Sequence, residues 1–171
     1  MNLRLRKCLL SDLDSLVQIS KETFVAAFEK DNNPKDFWDY VNSAFSREAI
    51  KAQLSNEHSE FYFVFEADNL VGYFKLNTTD AQTEFQDQHT MELERIYVKA
   101  QFQGSQVGSW MLQQAIQMAR DAQKQYLWLG VWEHNPKAIR FYQRNGFTKF
   151  GTHPYFVGSD KQTDWLLRLE L

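Results

Sequence analysis

Residues 91–109 read MELERIYVKAQFQGSQVGS, and this stretch decides the fold. Its first part, residues 91–98, predicts a strand, and the amphipathic pattern of residues 109–123 predicts a helix. Residues 126–132 form a continuous apolar run and predict a second strand. A strand–helix–strand unit of this kind places its two strands parallel and joins them by a right-handed crossover.

Further strand and helix patterns lie on both sides of this unit. Apolar runs and alternation predict strands at residues 3–8, 61–66, 71–76, 147–157 and 163–171. Helical spacing predicts helices at residues 13–28, 37–44, 47–54 and 136–145. We expect Ser11 with Asp14 to cap the first helix, Ser46 to cap the third and Gly146 to end the last. The predicted fold class is α/β: a single domain over residues 1–171, with a mixed, twisted sheet of about seven strands, antiparallel at its beginning, and helices on both faces.

Composition narrows the class of protein. The chain has 171 residues, 43% of them hydrophobic, and its 14 Phe, 7 Tyr and 5 Trp leave some rings to line a pocket beside the core. The formal net charge of −3 argues against a nucleic-acid partner, because such binders carry a basic excess. One cysteine, Cys8, and four scattered histidines form no metal-binding motif. Since the sequence begins without an apolar leader and contains no run long enough to span a membrane, we expect a cytoplasmic protein.

The segment between the first strand of the unit and its helix, residues 98–109, is typical of an anion site. Gly104 and Gly108 let the backbone approach a bulky phosphate, and the free N–H groups at a helix start attract negative charge. Glycine for turn geometry alone is the competing interpretation. A Walker motif is excluded because Ser109 and Trp110 follow Gly108 in place of Lys and Ser or Thr, and the dinucleotide pattern G-x-G-x-x-G is absent.

The same segment resembles the GNAT superfamily of N-acetyltransferases, whose motif is Q/R-x-x-G-x-G/A after a central strand. Residues 103–108 read QGSQVG and supply the first Gln and the last Gly, with Gln106 in place of the middle glycine. Residues 132–147, WEHNPKAIRFYQRNGF, are similar to the family block N-x-x-A-x-x-F-Y-x-x-x-G-F. With residues 93–98, the resemblance spans the C-terminal half, and the whole chain is similar to the PaiA-like polyamine N-acetyltransferases.

The resemblance implies acetyl-CoA as cosubstrate and assigns its binding residues. They are Ile96, Tyr97 and Val98 along the pantetheine arm, Gln103, Gly104, Ser105, Gln106, Val107, Gly108 and Ser109 at the pyrophosphate, and Asn135, Lys137 and Arg144 near the last helix. For Lys137 and Arg144, neutralisation of phosphates competes with a plain role as solvated surface cations. We expect Gln106 to allow the phosphate contact as long as its φ is negative, because a backbone N–H needs no particular side chain.

The resemblance also places Tyr142 where the family has a hydrogen-bond donor to the leaving thiolate. A phenol of pKa about 10 gives its proton to a thiolate of pKa about 8.5 only uphill, so stabilisation of the developing thiolate by a hydrogen bond is the favoured role. The competing interpretation is that Tyr142 simply packs beside Phe141 in the core of the helix.

Two carboxylates, Glu92 and Glu94, lie in an otherwise apolar strand. Glu94 is the candidate base, directly or through water, and Glu92 is the second choice; an ion pair with Arg95 or another residue is the structural alternative. Leu93 and Ile96 are three residues apart, so both face the core only if an extra residue near Glu94 forms a β-bulge. In the family, a splayed and bulged strand at this place admits the acetyl group.

The acceptor implied by the subgroup resemblance is a small-molecule primary amine, a polyamine such as spermidine. Acidic residues attract a polycation and aromatic rings hold an ammonium group. The candidates are the acids Asp31, Asp36, Asp39, Asp80, Glu84 and Asp87 and the rings Phe24, Phe28, Trp38 and Tyr40. Another small amine, a protein amino group and a non-catalytic acyl-CoA-binding regulatory module are the alternatives. The sequence leaves the oligomeric state open, a homodimer included.

Overall fold

The computed structural model describes residues 2–171 and contains seven strands in one sheet. They are β1 (Leu3–Lys7), β2 (Ser59–Glu66), β3 (Asn69–Asn77), β4 (Thr90–Val98), β5 (Tyr126–Trp132), β6 (Thr148–Val157) and β7 (Asp160–Glu170). Their order across the sheet is β1-β2-β3-β4-β5-β7-β6. β4 and β5 run parallel, and all the other neighbouring pairs are antiparallel. The predicted mixed sheet with its central parallel pair is confirmed.

The described residues form five α-helices, which are α1 (Leu13–Phe28), α2 (Pro34–Ala44), α3 (Arg47–Leu54), α4 (Val107–Asp121) and α5 (Pro136–Arg144). Ser46 caps α3 as predicted, because its Oγ accepts a hydrogen bond from Ala49 N at 3.1 Å. Gly146 follows α5 with a φ of 89°, the left-handed geometry expected of a helix stop. Within residues 2–171, every helix is too short or too polar to cross a membrane.

The cap predicted for α1 is wrong. Ser11 lies inside a short 3-10 turn, Leu10–Asp12, and Asp12 is the residue that precedes the helix. The Asp12 carboxylate accepts a hydrogen bond from Leu9 N at 2.8 Å and pairs with Arg6 at 2.9 Å. Because hydrogen bonds between charged groups are stronger than those of a serine hydroxyl, the acid fixes the start of this segment.

Helices cover both faces of the sheet, as predicted. The face covered by α4 and α5, here called the α4 face, has a core that includes Met111 and Leu129. The opposite face, here called the α1 face, packs against α1, α2 and α3 around residues such as Phe37. Cys8 belongs to this second core, and burial raises the pKa of its thiol to about 12, as is typical of a structural rather than a reactive cysteine.

Candidate active site

β4 and β5 begin as a parallel pair and then separate. Three residue pairs join them: Thr90 with Tyr126, Met91 with Leu127 and Glu92 with Trp128. Beyond that point β4 stays paired to β3 as far as Val98, and β5 stays paired to β7 as far as Trp132. The two strands therefore enclose a gap, here called the wedge, in which their facing backbone groups have no strand partner. This is the separation that the resemblance implies.

A β-bulge lies where the wedge opens. Lys75 of β3 pairs with Arg95 of β4, while the next residue of β3 pairs with Leu93, so Glu94 is the extra residue. Leu93 and Ile96 both pack into the core of the α4 face, which meets the condition under which their spacing implies a β-bulge. The bulge takes Glu94 out of the ladder, and its side chain lies on the α1 face beside Lys75.

β4 leads from the wedge into the loop before α4, where the backbone is left-handed at two residues. φ is 83° at Gly104 and 66° at Gln106. A hydrogen bond from Trp110 N to Gln106 O, 3.0 Å long, begins the helix, so the N–H groups of residues 107–109 have no partner within it. The first turn of α4 contains no acidic residue. An anion therefore finds free N–H donors and the positive end of the helix dipole here.

Gln106 does not have the negative φ that the sequence argument assumed. It adopts the conformation that glycine favours, which costs an L-residue roughly 1–2 kcal/mol, at the position of the middle glycine of the family motif. Hydrogen bonds on either side of it hold the loop: Gln103 Nε2 donates to Val98 O at 3.2 Å and Ser105 Oγ donates to Phe102 O at 2.5 Å. The left-handed turn is therefore built in spite of the side chain.

Gly108 leaves an opening in the first turn of α4. Within 4 Å, a Cβ added at this position would meet one atom, Val98 Cγ2, at the ordinary van der Waals distance of 3.8 Å. Packing within the protein therefore does not require glycine here. The missing side chain gives a ligand access to the free N–H groups of residues 107–109, and the site fits the diphosphate of a nucleotide cofactor.

Tyr142 lies in α5 with its ring in the core of the α4 face. The residue is 9% exposed, and its ring lies edge-on to Phe141 and Phe147, with centroids 5.2 and 5.7 Å away. Burial raises the pKa of its hydroxyl. The ring thus packs as the competing interpretation has it, while the hydroxyl remains a protonated donor.

The other residues assigned to the cofactor lie on β4 and α5. Ile96 and Val98 pack against the core of the α4 face, whereas the ring of Tyr97 stacks on Tyr73 of the α1 face at 5.9 Å. The Oδ1 atom of Asn135 caps α5 by accepting a hydrogen bond from the N–H of residue 138 at 3.2 Å. Lys137 and Arg144 of α5 are exposed, as is Arg140 between them. Their binding roles stay predictions.

Glu94 belongs to a buried charge cluster on the α1 face. Its Oε2 accepts hydrogen bonds from Lys75 Nζ and, at 2.7 Å, from Asn77 Nδ2, and its Oε1 lies 3.5 Å from Arg95 Nη2. Burial raises the pKa of Glu94, but the charges of Arg95 and Lys75 outweigh burial and leave that pKa lowered. The ion-pair alternative is therefore present, and a carboxylate held ionised in this way is a weak proton acceptor.

Glu92 is engaged at the closed end of the wedge. It is 3% exposed, and its carboxylate accepts hydrogen bonds from Thr83 N at 2.8 Å, Thr83 Oγ1 at 2.6 Å and Asn77 Nδ2 at 3.1 Å. Burial and the charge of Glu94 raise its pKa, and the hydrogen bonds offset part of that rise. These contacts tie β4 to the loop of residues 78–89 between β3 and β4.

A second set of titratable groups lies across the wedge on the α1 face. Gly130 of β5 is exposed between two buried neighbours, and Asp164 of β7 and His153 of β6 lie beside it. His153 and Asp164 are opposite each other in the β6–β7 ladder, and His153 Nδ1 hydrogen-bonds Glu84 of the loop of residues 78–89. The sequence argument missed His153. The register of the last hairpin could have identified this pair, because counting outward from a turn at residues 158–159 places 153 opposite 164.

Among the acids and rings predicted to surround the acceptor, Glu84 and Tyr40 lie near His153 and Asp164 on the α1 face; these groups are here called the second wall of the wedge. The Tyr40 hydroxyl contacts that of Tyr155, two residues after His153 on the same face of β6. The other acids have different surroundings: Asp31 is exposed, Asp36 accepts from Ser159, Asp39 pairs with Lys35, Asp80 lies 3.8 Å from His58, and Asp87 accepts from His89 N. The other rings pack in or against the core of the α1 face or on its margin: Phe24, Phe28 and Trp38.

Comparison with known proteins agrees with this geometry. The model of the acetyltransferase (GNAT) family matches residues 13–147. An uncharacterised N-acetyltransferase of Lactobacillus delbrueckii subsp. lactis is 38% identical over 160 residues, which are 94% of this chain and 92% of that protein. The spermidine N(1)-acetyltransferase of Thermoplasma acidophilum is 20% identical, over 86% of this chain and 89% of its own.

A solved structure resembles this fold over its full length. The PaiA N-acetyltransferase from Thermoplasma acidophilum, in complex with coenzyme A, has a TM-score of 0.80 and 20% identity, covering 100% of both chains. At that identity the likeness shows the fold. The family match over most of the chain and the relative at 38% identity show the family as well as the fold. The chain belongs to the acetyltransferase (GNAT) family, and it is an acetyl-CoA-dependent N-acetyltransferase.

Proposed function

We propose that this protein transfers the acetyl group of acetyl-CoA to a primary amine of a polyamine such as spermidine. The observation that carries the proposal is the wedge between β4 and β5. The free N–H groups of α4 and the ring of Tyr142 belong to the α4 face, and the carboxylates of β4 and β7 lie on the α1 face. A thioester bound in the wedge would thus meet an amine that arrives from the opposite face.

The residues present fit acetyl-CoA. The N–H groups of residues 107–109 would hold the diphosphate, and residues 96–98, unpaired on the side of β5, would offer backbone groups to the pantetheine arm. Asn135, Lys137 and Arg144 are the further groups proposed to contact it. When bound there, acetyl-CoA supplies an activated acyl group whose leaving group is a thiolate.

Tyr142 is proposed to stabilise the departing sulfur. Because burial raises the pKa of its hydroxyl, the phenol stays protonated at neutral pH and acts as a hydrogen-bond donor. A free thiol has a pKa of about 8.5, against about 10 for an ordinary phenol, so a hydrogen bond to the developing thiolate is favoured over early loss of the phenolic proton.

Glu94 is proposed to attract and place the amine, directly or through a water molecule. Its side chain is 21% exposed, against 5% for Lys75, so Glu94 is the more accessible member of their pair. The lowered pKa keeps Glu94 ionised, which suits the binding of an ammonium group. An alkyl ammonium has a pKa of about 10.4, so only about one molecule in a thousand is neutral near pH 7.4. Because the amine must lose a proton before it attacks and Glu94 is a weak proton acceptor, a group other than Glu94 is needed to accept that proton.

Two observations favour a polyamine as the acceptor. Carboxylates lie on both sides of the wedge at the α1 face, with Glu94 on β4 and Asp164 and Glu84 opposite. Lys75 and Arg95 compensate Glu94, so Asp164 and Glu84 supply the negative charge that attracts a polycation. The similarity to a spermidine N(1)-acetyltransferase is the second observation. Another small amine or a protein amino group would undergo the same chemistry.

A panel of amines tests the proposal. Thiol release from acetyl-CoA is measured with spermidine, with an alkyl monoamine, with a peptide that has a free amino terminus, and with buffer alone. We expect spermidine to give the highest kcat/KM and buffer to give none. Turnover confined to the monoamine or the peptide would overturn the polyamine assignment while retaining acetyl transfer. Tight binding of acetyl-CoA with no turnover of any amine would instead identify an acyl-CoA-binding regulatory module.

A further inference from the structure

The ring of His153 lies between two carboxylates. Its Nδ1 hydrogen-bonds Glu84 Oε1, and its Nε2 lies 3.6 Å from Asp164 Oδ2. Nε2 is buried, and it has no hydrogen-bond partner among residues 2–171. One nitrogen therefore orients the ring through Glu84, and the other is left to exchange a proton.

The free nitrogen of His153 lies against the wedge. A Cβ added to Gly130 would stand 3.3 Å from His153 Nε2 and 3.3 Å from Asp164 Oδ2, so the absence of a side chain on β5 makes room for both. Gly130 is the second residue after Trp128, where pairing with β4 stops, and it is exposed. An amine that reaches the exposed Gly130 from the α1 face therefore approaches the His153 ring, whose Nε2 is itself shielded from solvent.

We propose that His153 accepts the proton of the attacking amine at Nε2, with Glu84 and Asp164 as the positioning residues that orient the ring. The inference rests on the proposed acetyl transfer to an amine. A base oriented by a carboxylate on its other nitrogen is the general arrangement of an activated acid–base pair, and here the carboxylate is Glu84 on Nδ1. Glu94 opposite then places the ammonium group and His153 takes its proton.

Protons and bonds balance in this scheme. As the N–C bond forms and the C–S bond breaks, the ammonium nitrogen loses two protons in all. One proton ends on the thiol, beside the Tyr142 hydroxyl. The other passes to His153 Nε2 and is released to solvent, so that the ring returns to its neutral form before the next turnover.

The charged groups around His153 set the pH range in which it works. The structure places Glu84 of the loop of residues 78–89 and Asp164 of β7 against the ring, while β5 presents Gly130. The nearby Asp164 carboxylate raises the pKa of His153 above its usual 6.5, burial opposes that rise in part, and Glu84 adds to it. A base works in its neutral form, so kcat/KM should rise as pH passes upward through this raised pKa.

The pH profile of kcat/KM for spermidine tests the inference. For the native protein we expect an ascending limb above pH 6.5 that is separate from the titration of the amine itself near 10.4. His153→Gln should lose this limb and lower kcat/KM roughly 100-fold at neutral pH. Glu84→Gln removes one of the two carboxylates and should shift the limb to lower pH. His89→Gln is the matched control, because the side chain of His89 is exposed in the loop of residues 78–89.

The outcomes separate the inference from the proposed function. If the native protein acetylates spermidine and His153→Gln keeps the limb at its native midpoint, His153 is not the base, although the proposed function stands. If the native protein acetylates no amine, the proposed function fails and the inference falls with it. If His153→Gln does not fold, the Glu84→Gln midpoint decides: a shift to lower pH supports the inference, and an unmoved midpoint overturns it.

Discussion

Glu92 of β4 and Trp128 of β5 form the last pair between the two parallel strands, and adjacent residues of one loop hold both. Thr83 N donates a hydrogen bond to Glu92 Oε2, and Trp128 Nε1 donates one to Gln82 Oε1, each 2.8 Å long. Both side chains are buried, so these bonds form where water competes little. The wedge thus has a fixed closed end, and the residues proposed to function lie at and beyond its opening.

Gly108→Ala should affect stability and cofactor binding in opposite directions. The helical position accepts a Cβ without a clash inside the protein, so the loss of unfolded-state entropy should stabilise the fold by about 0.4–1 kcal/mol. The same methyl group obstructs approach to the N–H groups of residues 107–109, so the Kd of acetyl-CoA should rise about tenfold, or ~1.4 kcal/mol. Denaturant unfolding and equilibrium binding measure the two effects. Unchanged affinity would show that the diphosphate binds elsewhere.

Gln106→Gly should stabilise the protein without changing its affinity for acetyl-CoA. The substitution removes a left-handed strain of roughly 1–2 kcal/mol and adds a glycine entropy cost of roughly 0.5–1 kcal/mol, which leaves a gain of about 0.5–1 kcal/mol. The Kd should not move, because the loop already has its bent backbone. Thermal unfolding should show a Tm about 2 °C higher.

Gln123→Gly is the matched control for this substitution. Gln123 follows the end of α4 with a φ of 54°, so its replacement by glycine should raise Tm by a similar amount, at a position away from the anion site. A large gain in affinity confined to Gln106→Gly would show that the glutamine side chain crowds the site. A lower Tm for both variants would contradict the strain argument.

The strand–helix–strand unit was predictable because it depends on local spacing, whereas spacing predicted the bulge only on the condition that Leu93 and Ile96 face the same core. Leu93 and Ile96 are three residues apart and both face one core, and one extra residue in a strand reconciles these facts. The backbone at Gln106 was not predictable from its residue type, since an L-residue normally avoids positive φ and the surrounding loop imposes it here. The spacing of the family motif identified the position of Gln106, but the left-handed backbone there is imposed by the fold of the loop.

The second wall of the wedge was hidden from the sequence for a different reason. His153, Asp164 and Glu84 come from two strands and a loop, and Glu84 and His153 are separated by 69 positions. A lone histidine and scattered acids carry no periodic signal, and their contact is set by strand order and hairpin register. Likewise, the acid that displaced Ser11 at the start of α1 is explained by its pairing with Arg6 of β1.

Lys75→Met should destabilise the protein strongly, and Glu94→Gln should rescue part of the loss. Removing the lysine leaves the buried Glu94 charge with one fewer cation, and breaking a buried pair costs about 3–5 kcal/mol. In the double variant neither charge of the pair remains, so the combined loss should be smaller than the sum of the single losses. Denaturant unfolding of the native protein and the three variants gives the coupling free energy. Additive losses would show that the two side chains do not depend on each other.

Folding stability should depend on pH through His153. Since its pKa is raised in the folded protein, its contribution is fully present below the unfolded value of 6.5 and is lost as pH rises through the folded pKa. The difference in unfolding free energy between the native protein and His153→Gln should therefore be largest below pH 6.5 and shrink above it. His89→Gln should show no such trend. If the difference in unfolding free energy instead grows with rising pH, Glu84 and Asp164 do not stabilise the protonated imidazolium of His153.

Tyr142→Phe probes the proposed transfer at its sulfur end. The substitution removes only the hydroxyl and leaves the ring in the core, so Tm and the Kd of acetyl-CoA should stay at their native values. Tyr126→Phe is the matched control, because Tyr126 pairs with Thr90 at the closed end of the wedge. It should leave turnover, Tm and Kd unchanged.

The kcat for spermidine-dependent thiol release by Tyr142→Phe tests the central claim that acetyl transfer takes place in the wedge. We predict a fall of roughly 100-fold relative to the native protein and to Tyr126→Phe, with the Kd of acetyl-CoA unchanged, because the lost hydroxyl is needed only as the thiolate develops. A kcat equal to that of the native protein would contradict the account.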